Sequence, residues 1–244
     1  MTELSFGMEM ALAVAIVTAG GIVRGYTGFG TGLVMAPLLT LLWGPVEAVA
    51  TTVALGTIST MQMTLPALPL VKWREVGPLI AGVLVVAPFG THLLLTVDPG
   101  VIKQVIAAAV LFFALIMLCG WKYNGPRGVV ASIMTGCIGG FFNGIAAVGG
   151  GVLVLYLMSL PDNMRTQRAN IVIAVGALPL IVFLTITISG AMTRQIFLNV
   201  AILVVPALLS VWAGSRLFGF LPEKAFRLTV LWTLIILSGA MLVG

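Results

Sequence analysis

Arg24-Gly25-Tyr26-Thr27-Gly28-Phe29-Gly30-Thr31-Gly32-Leu33-Val34-Met35-Ala36-Pro37 is the stretch that decides how this chain is read. It sits inside an apolar run from Met8 to Trp43, more than 30 residues long. One helix of that length would overshoot a hydrocarbon core of ~30 Å unless severely tilted. Glycine permits the φ > 0 turns of a hairpin tip and lets backbones approach closely. The spacing therefore predicts a helical run that breaks and turns back inside the membrane. The arm after the break then starts at mid-membrane, with unpaired N–H groups and the positive end of a helix dipole, about half a charge, aimed at the tip.

Composition places this run in a membrane. The chain has 244 residues, 60% of them hydrophobic and 8% charged, against roughly 25% charged in ordinary soluble domains. Twelve basic and seven acidic residues cannot solvate the surface of a soluble protein of this size, which excludes soluble enzymes. The +5 net charge comes from single or paired basic residues between apolar runs, so nucleic-acid binding is not expected. Cys119 and Cys137 make no metal spacing or disulfide framework and read as packed membrane thiols. Glu3 and Glu9 stand where a cleaved leader would carry basic residues, so the first run is expected to be retained.

Apolar runs long enough to cross follow at Glu47–Pro69, Val76–Val97, Val101–Trp121, Arg168–Ser189, Gln195–Ser215 and Lys224–Val243. A second glycine-broken run, Val129–Leu160, resembles the first. Adding 119 to Gly20, Gly21, Gly25, Gly30 and Gly32 gives Gly139, Gly140, Gly144, Gly149 and Gly151; the same offset carries Ala50 to Ala169 and Val53 to Val172. Pro88 and Pro206 agree to within one position. The chain thus reads as two repeats, residues 1–123 and 124–244, in one structural unit. Hairpin runs put Lys72, Arg74, Lys122, Arg127, Arg165, Arg168, Arg216, Lys224 and Arg227 on one side, with only Lys103 and Arg194 on the other. Single crossings would divide the basic residues almost evenly. The positive-inside rule favours the hairpins, with both termini non-cytoplasmic, although pairs of full crossings have the same parity. The expected fold is an all-α polytopic membrane protein of two inverted repeats, each a glycine-broken helical hairpin followed by three transmembrane helices. Inverted repeats with broken helices at the midplane are a transporter pattern.

The second break reads Asn143-Gly144-Ile145-Ala146-Ala147-Val148-Gly149-Gly150-Gly151. The pattern GxxGFGxGLxxxPLL from Gly25 to Leu39, followed by Ala48 to Thr52, resembles the sulfite exporter TauE/SafE family of membrane permeases. The Gly149-Gly150-Gly151 tract and Arg168-Ala169-Asn170 resemble that family's second half. The resemblance covers essentially the whole chain and implies movement of sulfur-containing anions such as sulfite, sulfoacetate or other organosulfonates, with export the expected direction. It also implies a bacterial inner-membrane protein. The second tip lacks the Phe-Gly pair and has Asn143 where the first has Arg24, which leaves the substrate within the family open.

Arg24 is the most informative residue, because Arg at the centre of a membrane helix costs about 2.5–3.5 kcal/mol on insertion scales. No acidic residue lies within helical reach of it, Glu47 being near a membrane boundary. A guanidinium fork matches paired oxygens of a sulfonate or sulfite; the competing readings are snorkelling or a bond to hairpin carbonyls that pins the tip. The expected substrate contacts are Arg24, Thr27, Gly28, Phe29, Gly30, Thr31, Thr51, Thr52, Asn143, Val148, Gly149, Gly150 and Asn170, with Thr51 and Asn170 related by the repeat. For the glycines the alternative is close helix packing, and for the polar residues ordinary interhelical bonding. His92, the only histidine, has no carboxylate neighbour to make a proton relay; Trp43, Trp73 and Trp121 read as interface anchors. Neither cofactor nor metal is expected, and the partners are a small anion and the bilayer.

These expectations point to a transporter. An anion channel using the same electropositive tips is the alternative, and a non-transporting assembly subunit a more distant one. An intramembrane enzyme is disfavoured by the lack of H-E-x-x-H, paired membrane carboxylates or a Ser–His arrangement.

Overall fold

The computed structural model describes residues 3–121 and 123–217 and, near the C-terminus, residues 231–232, 234–236, 238–239 and 241–242. All regular structure among them is helical: α1 (Glu3–Thr27), α2 (Thr31–Trp43), α3 (Pro45–Ala67), α4 (Trp73–Thr96), α5 (Pro99–Leu118), α6 (Val129–Ala146), α7 (Gly150–Leu157), α8 (Met164–Ile188) and α9 (Arg194–Leu217), with a 3-10 turn at Leu68–Leu70. Lys122, Lys224, Arg227 and most of the expected Lys224–Val243 span lie outside the described residues.

Six of these helices are long and apolar enough to cross a membrane: Gly7–Thr27 within α1, α4, α5, α6, α8 and α9. Helix α3 has 23 residues but carries Thr51, Thr52, Thr57, Ser59, Thr60 and Thr64, a hydroxyl-rich sequence of which Thr51, Thr52 and Ser59 are buried. Large apolar side chains face outward along the bundle, among them Met61, Phe89, Val130, Leu184, Val205 and Leu209. Such a surface is stable against lipid tails and not against water. The protein is an integral membrane protein. Trp73 and Trp121 are exposed at helix ends, as interface anchors are. Cys119 is exposed and Cys137 half-buried, so the expected packing of both thiols does not hold. The first lies just past α5, where the helix has left the bundle's packed interior.

Both long runs break where the glycines fall. Gly28 and Gly30 adopt φ of 84° and 93°, a left-handed conformation that side chains resist. Helix α2 then turns back along α1: a β-carbon on Gly30 would meet Val23, and one on Gly20 would meet Met35. At the second break Ala147 takes φ 57°. Helix α7 returns along α6, with Gly149 against Gly139 and Gly139 against Leu153. Helix α2 has 13 residues and α7 has 8, about 20 Å and 12 Å at 1.5 Å per residue. Neither returning arm spans a ~30 Å core.

The close contacts between helices come in pairs. A β-carbon on Gly25 of α1 would lie 2.1 Å from the Val211 carbonyl oxygen and 2.7 Å from the Ser215 nitrogen of α9. One on Gly144 of α6 would lie 2.4 Å from the Ala87 carbonyl oxygen and 2.7 Å from the Thr91 nitrogen of α4. Gly214 meets the Ile22 carbonyl oxygen and Gly90 meets that of Phe141, each at 2.3 Å. Adding 119 carries Ile22 to Phe141 and Gly25 to Gly144, while adding 124 carries Ala87 to Val211 and Gly90 to Gly214. In these helices the contacts therefore match at 124, and the near coincidence of Pro88 with Pro206 is not the contact register. At the centre α3 lies against α8, with Gly56 on Pro179 and Gly176 on Thr60.

The two ends of the bundle differ in chemistry. At one, Lys72 bonds and ion-pairs with Asp162, and its N–H donates to Asn170 Oδ1 at 2.9 Å. The Asn170 amide reaches Glu75 and Asp162 at 3.5 and 3.4 Å. The Tyr156 hydroxyl lies 3.0 Å from that of Ser132 and 3.4 Å from the Gly128 carbonyl. These bonds bring the start of α4, the start of α6 and the end of α7 to one end. At the other, the Asn199 amide donates to Glu47 Oε1 at 2.6 Å, and Gln195 donates to Asn199 at 3.1 Å. Glu9 and Glu47 share a cavity of about 360 Å³ with these two amides.

Candidate functional site

The two tips meet. A β-carbon on Gly32, in the first turn of α2, would lie 1.6 Å from the carbonyl oxygen of Ala147, so only glycine admits the contact. Between the tips is a small cavity, about 30 Å³, space for roughly two waters. Gly30, Thr31, Gly32 and Leu33 of the first tip line it, facing Ala147, Val148, Gly150 and Gly151 of the second. Helix α3 contributes Thr52, Val53 and Gly56, and α8 contributes Val175 and Pro179. The first turns of α2 and α7 thus bound one space, and neither helix has a side-chain cap on its N-terminal N–H groups.

Arg24 and Asn143 complete the lining. They are the residues just before the two breaks, and adding 119 to 24 gives 143. Arg24 is only 3% exposed. Its Nη1 donates to Thr31 Oγ1 at 3.1 Å and its Nη2 to Thr60 Oγ1. Thr60 passes its own proton back to the Gly56 carbonyl at 2.7 Å, which leaves its lone pairs for the guanidinium. Among the described residues no carboxylate faces Arg24, and the ion pair found there is Lys72–Asp162, at the end of the bundle. There the carboxylate holds the Lys72 pKa above its ordinary value, mainly through the hydrogen bond.

Arg24 Nε, Asn143 Nδ2, Thr51 Oγ1 and Thr52 Oγ1 are buried without a hydrogen-bond partner. A buried polar atom left unpaired costs about 1–3 kcal/mol, more when charged. Arg24, Thr52 and Asn143 all line the cavity, so these unmet donors collect where both helix N-termini point. Every donor at this place favours negative charge.

Seven of the thirteen expected contacts line the cavity: Arg24, Gly30, Thr31, Thr52, Asn143, Val148 and Gly150. Thr51 is fully buried beside them without lining it. Thr27 fastens the tip: its hydroxyl lies 2.8 and 2.7 Å from the Val23 and Phe29 carbonyls and accepts from the Phe29 N–H at 3.2 Å. Gly28 supplies the turn, and Phe29 lies on the tip's other side, in a second and larger cavity. Gly149 is pressed on Gly139, its β-carbon position 1.8 Å from that carbonyl oxygen. Asn170 is held in the Lys72–Glu75–Asp162 group and does not reach the tips. Thr60 was not an expected contact, yet it bonds Arg24 directly. Among the described residues no group of three His, Cys, Asp or Glu could hold a metal ion.

No curated protein and no solved structure matched this chain in sequence or fold searches. A family model did: that of the sulfite exporter TauE/SafE, over residues 12–241. It spans both breaks, both sides of the cavity and nearly the whole chain, and the protein accordingly belongs to the sulfite exporter TauE/SafE family, a family of membrane transporters for sulfur anions.

Proposed function

We propose that the cavity between the tips is the transport site, and that it binds a sulfur oxyanion or the sulfonate group of an organic anion for export. The carrying observation is the set of buried donors without partners, the Arg24 guanidinium among them, gathered where two helix N-termini converge. An oxyanion meets those donors together: two oxygens on the guanidinium fork, others on backbone N–H groups and Asn143. With no carboxylate facing it among the described residues, the guanidinium gains its counter-ion when cargo binds.

The cavity is narrow, about 30 Å³ of accessible space between the tips. A single site between two broken hairpins at mid-membrane supports alternating access rather than a continuous pore. We further infer that the halves, residues 1–123 and 124–244, are inverted repeats. The matched backbone contacts of α1 with α9 and of α6 with α4 support that reading. Export is assigned to a bacterial inner membrane, with the Lys72–Asp162 end cytoplasmic. A cytoplasm-negative potential favours anion exit by about 2.3 kcal/mol per charge at 100 mV.

The test is flux of sulfite, sulfoacetate, thiosulfate and chloride in liposomes holding the purified protein, beside an Arg24→Gln variant. Saturable flux of the sulfur anions is expected, with Arg24→Gln nearly inactive though it inserts and purifies normally. Losing one partner of a dry charge pair costs about 2–5 kcal/mol. Wild-type flux in a folded Arg24→Gln protein would remove Arg24 from the site, and flux of chloride alone would replace the sulfur-anion reading.

A further inference from the structure

Behind the first tip, across its backbone from the space between the tips, lies a cavity of about 440 Å³. Val23 and Phe29 of the tip, Val154 of α7 and Ile171 of α8 give it apolar walls. Arg165 and Arg168 line it from the start of α8, three positions apart and so on one helix face. Arg165 is exposed and Arg168 half-buried. Among the described residues no carboxylate lines the cavity. The arginines stand at the end of the bundle where Lys72 meets Asp162, two residues before α8 begins. Met158 and Met164, also on the lining, are 54% and 77% exposed, so the cavity reaches the outer surface of the bundle beside the arginines. Ile171 lies about 9 Å further along the helix than Arg165, at 1.5 Å per residue.

We propose that this cavity is a lipid site, in which an anionic phospholipid of the surrounding bilayer lays an acyl chain against the apolar walls and its phosphate on Arg165 and Arg168. The walls choose the chain. Water finds few hydrogen-bond partners along them, and leaving them bare forfeits dispersion contacts over the whole lining. The opening beside Met158 and Met164 lies where the bundle meets its bilayer, so a lipid enters from the side and passes neither tip. The arginines choose the head group. Basic pockets between membrane helices receive anionic lipid heads, and a guanidinium fork matches phosphate oxygens. The trimethylammonium of phosphatidylcholine finds no carboxylate on this lining, whereas phosphatidylglycerol brings net negative charge and no cation. The apolar depth below the arginines and the charge at the mouth thus match the two parts of one lipid.

The test is thermal unfolding of the detergent-purified protein titrated with phosphatidylglycerol, phosphatidylcholine or inorganic phosphate, with native mass spectrometry reading the lipid retained. Phosphatidylglycerol should raise Tm and stay bound, phosphatidylcholine should do so only at higher concentration, and inorganic phosphate should do neither. Arg165→Gln should weaken phosphatidylglycerol about fivefold, the factor expected of one basic residue beside an anionic head group, and Arg168→Gln added to it should weaken it further. Arg74→Gln, exposed at the same end but not on the lining, should leave it unchanged. Val154→Phe and Ile171→Phe should fill the space and shed the lipid. Equal binding of the two lipids by the wild-type protein would overturn the proposal. So would equal losses in Arg74→Gln and Arg165→Gln, because attraction to the whole basic end then explains the preference. Wild-type affinity in a folded Phe variant would take the chain out of the cavity and overturn it as well. Stabilisation by inorganic phosphate equal to that by the lipid would replace it with a phosphate site. If neither Phe variant folds, the comparison of Arg165→Gln with Arg74→Gln decides.

Discussion

Gly32 and Ala147, one from each hairpin tip, are packed so closely that the α-hydrogen of Gly32 occupies the only space a side chain could have, against the Ala147 carbonyl oxygen. This contact holds the two tips in register across the cavity. It also ties the position of the α2 N-terminus to that of the second break.

Gly32→Ala is expected to pry the tips apart. The added carbon would sit 1.6 Å from a backbone oxygen that has no side-chain freedom to yield. Overpacking of this kind costs about 1–3 kcal/mol. Lower thermal stability in detergent and loss of anion flux should appear together. Gly77→Ala, where a β-carbon meets open space, should not lower stability. Normal flux through Gly32→Ala would mean that the tip contact is not part of the working site.

Asn143→Asp places a carboxylate on the wall of the cavity that Arg24 also lines. The side chain keeps its size and gains a charge that can pair with the guanidinium from within. The variant should fold at least as well as wild type and should lose sulfite binding, because the protein then carries its own counter-ion. Thermal-shift titration with sulfite reads both effects. A ligand-induced shift equal to that of wild type would place the anion elsewhere.

Thr60→Val removes an acceptor from Arg24 Nη2 and keeps the shape of the side chain. A buried donor stripped of its partner loses about 1–3 kcal/mol, and the guanidinium should settle into other orientations. The sulfite Kd should rise by roughly tenfold, the lower part of that range, while Arg24→Gln weakens it much further. Thr57→Val is the comparison, since that hydroxyl bonds only the Val53 carbonyl at 2.8 Å. Equal effects of the two valines would make Thr60 an ordinary helix threonine.

Single cysteines at residues 2, 72, 124 and 244, in a chain whose native Cys119 and Cys137 are replaced by serine, report topology through an impermeant thiol reagent. The basic residues gathered with Lys72 predict labelling of 72 and 124 from the cytoplasmic side, and of both termini from the other. Opposite sides for residues 2 and 244 would exclude inverted repeats.

Four of the expected spans, those of α4, α5, α8 and α9, and both breaks were legible in the sequence because they follow from hydropathy, length and glycine alone. The expected Glu47–Pro69 span is helical, as α3, but does not count among the helices apolar enough to cross. Arg24 stood out because an unpaired charge is rare in an apolar run. Thr60 did not: it lies 36 positions from Arg24, on a helix whose many threonines carry no mark of which one faces a partner. Asn170 looked like the repeat equivalent of Thr51, but its side chain is claimed by Lys72 and Glu75 at the bundle's end, a partnership that exists only after α4 and α8 pack. Gly30 and Gly149 are also less alike than their shared offset suggests. The first is required by its φ of 93°, whereas the second has an ordinary φ of −61° and is required by the nearness of Gly139.

The pairing of α1 with α9 and of α4 with α6 has a consequence for biosynthesis. The grooves cut by Gly21 and Gly25 of α1 are filled by a helix that begins at Arg194. At about 5–20 residues per second, α1 waits on the order of 10–40 s in the membrane for its partner. During that interval it exposes a glycine-lined face and a buried-to-be arginine to lipid or to whatever insertion machinery shields it. The N-terminal half made alone should therefore be degraded. Two halves made from separate messages, cut in the 122–127 link, should rescue each other, since the α1–α9, α4–α6 and α3–α8 seams all run between the halves.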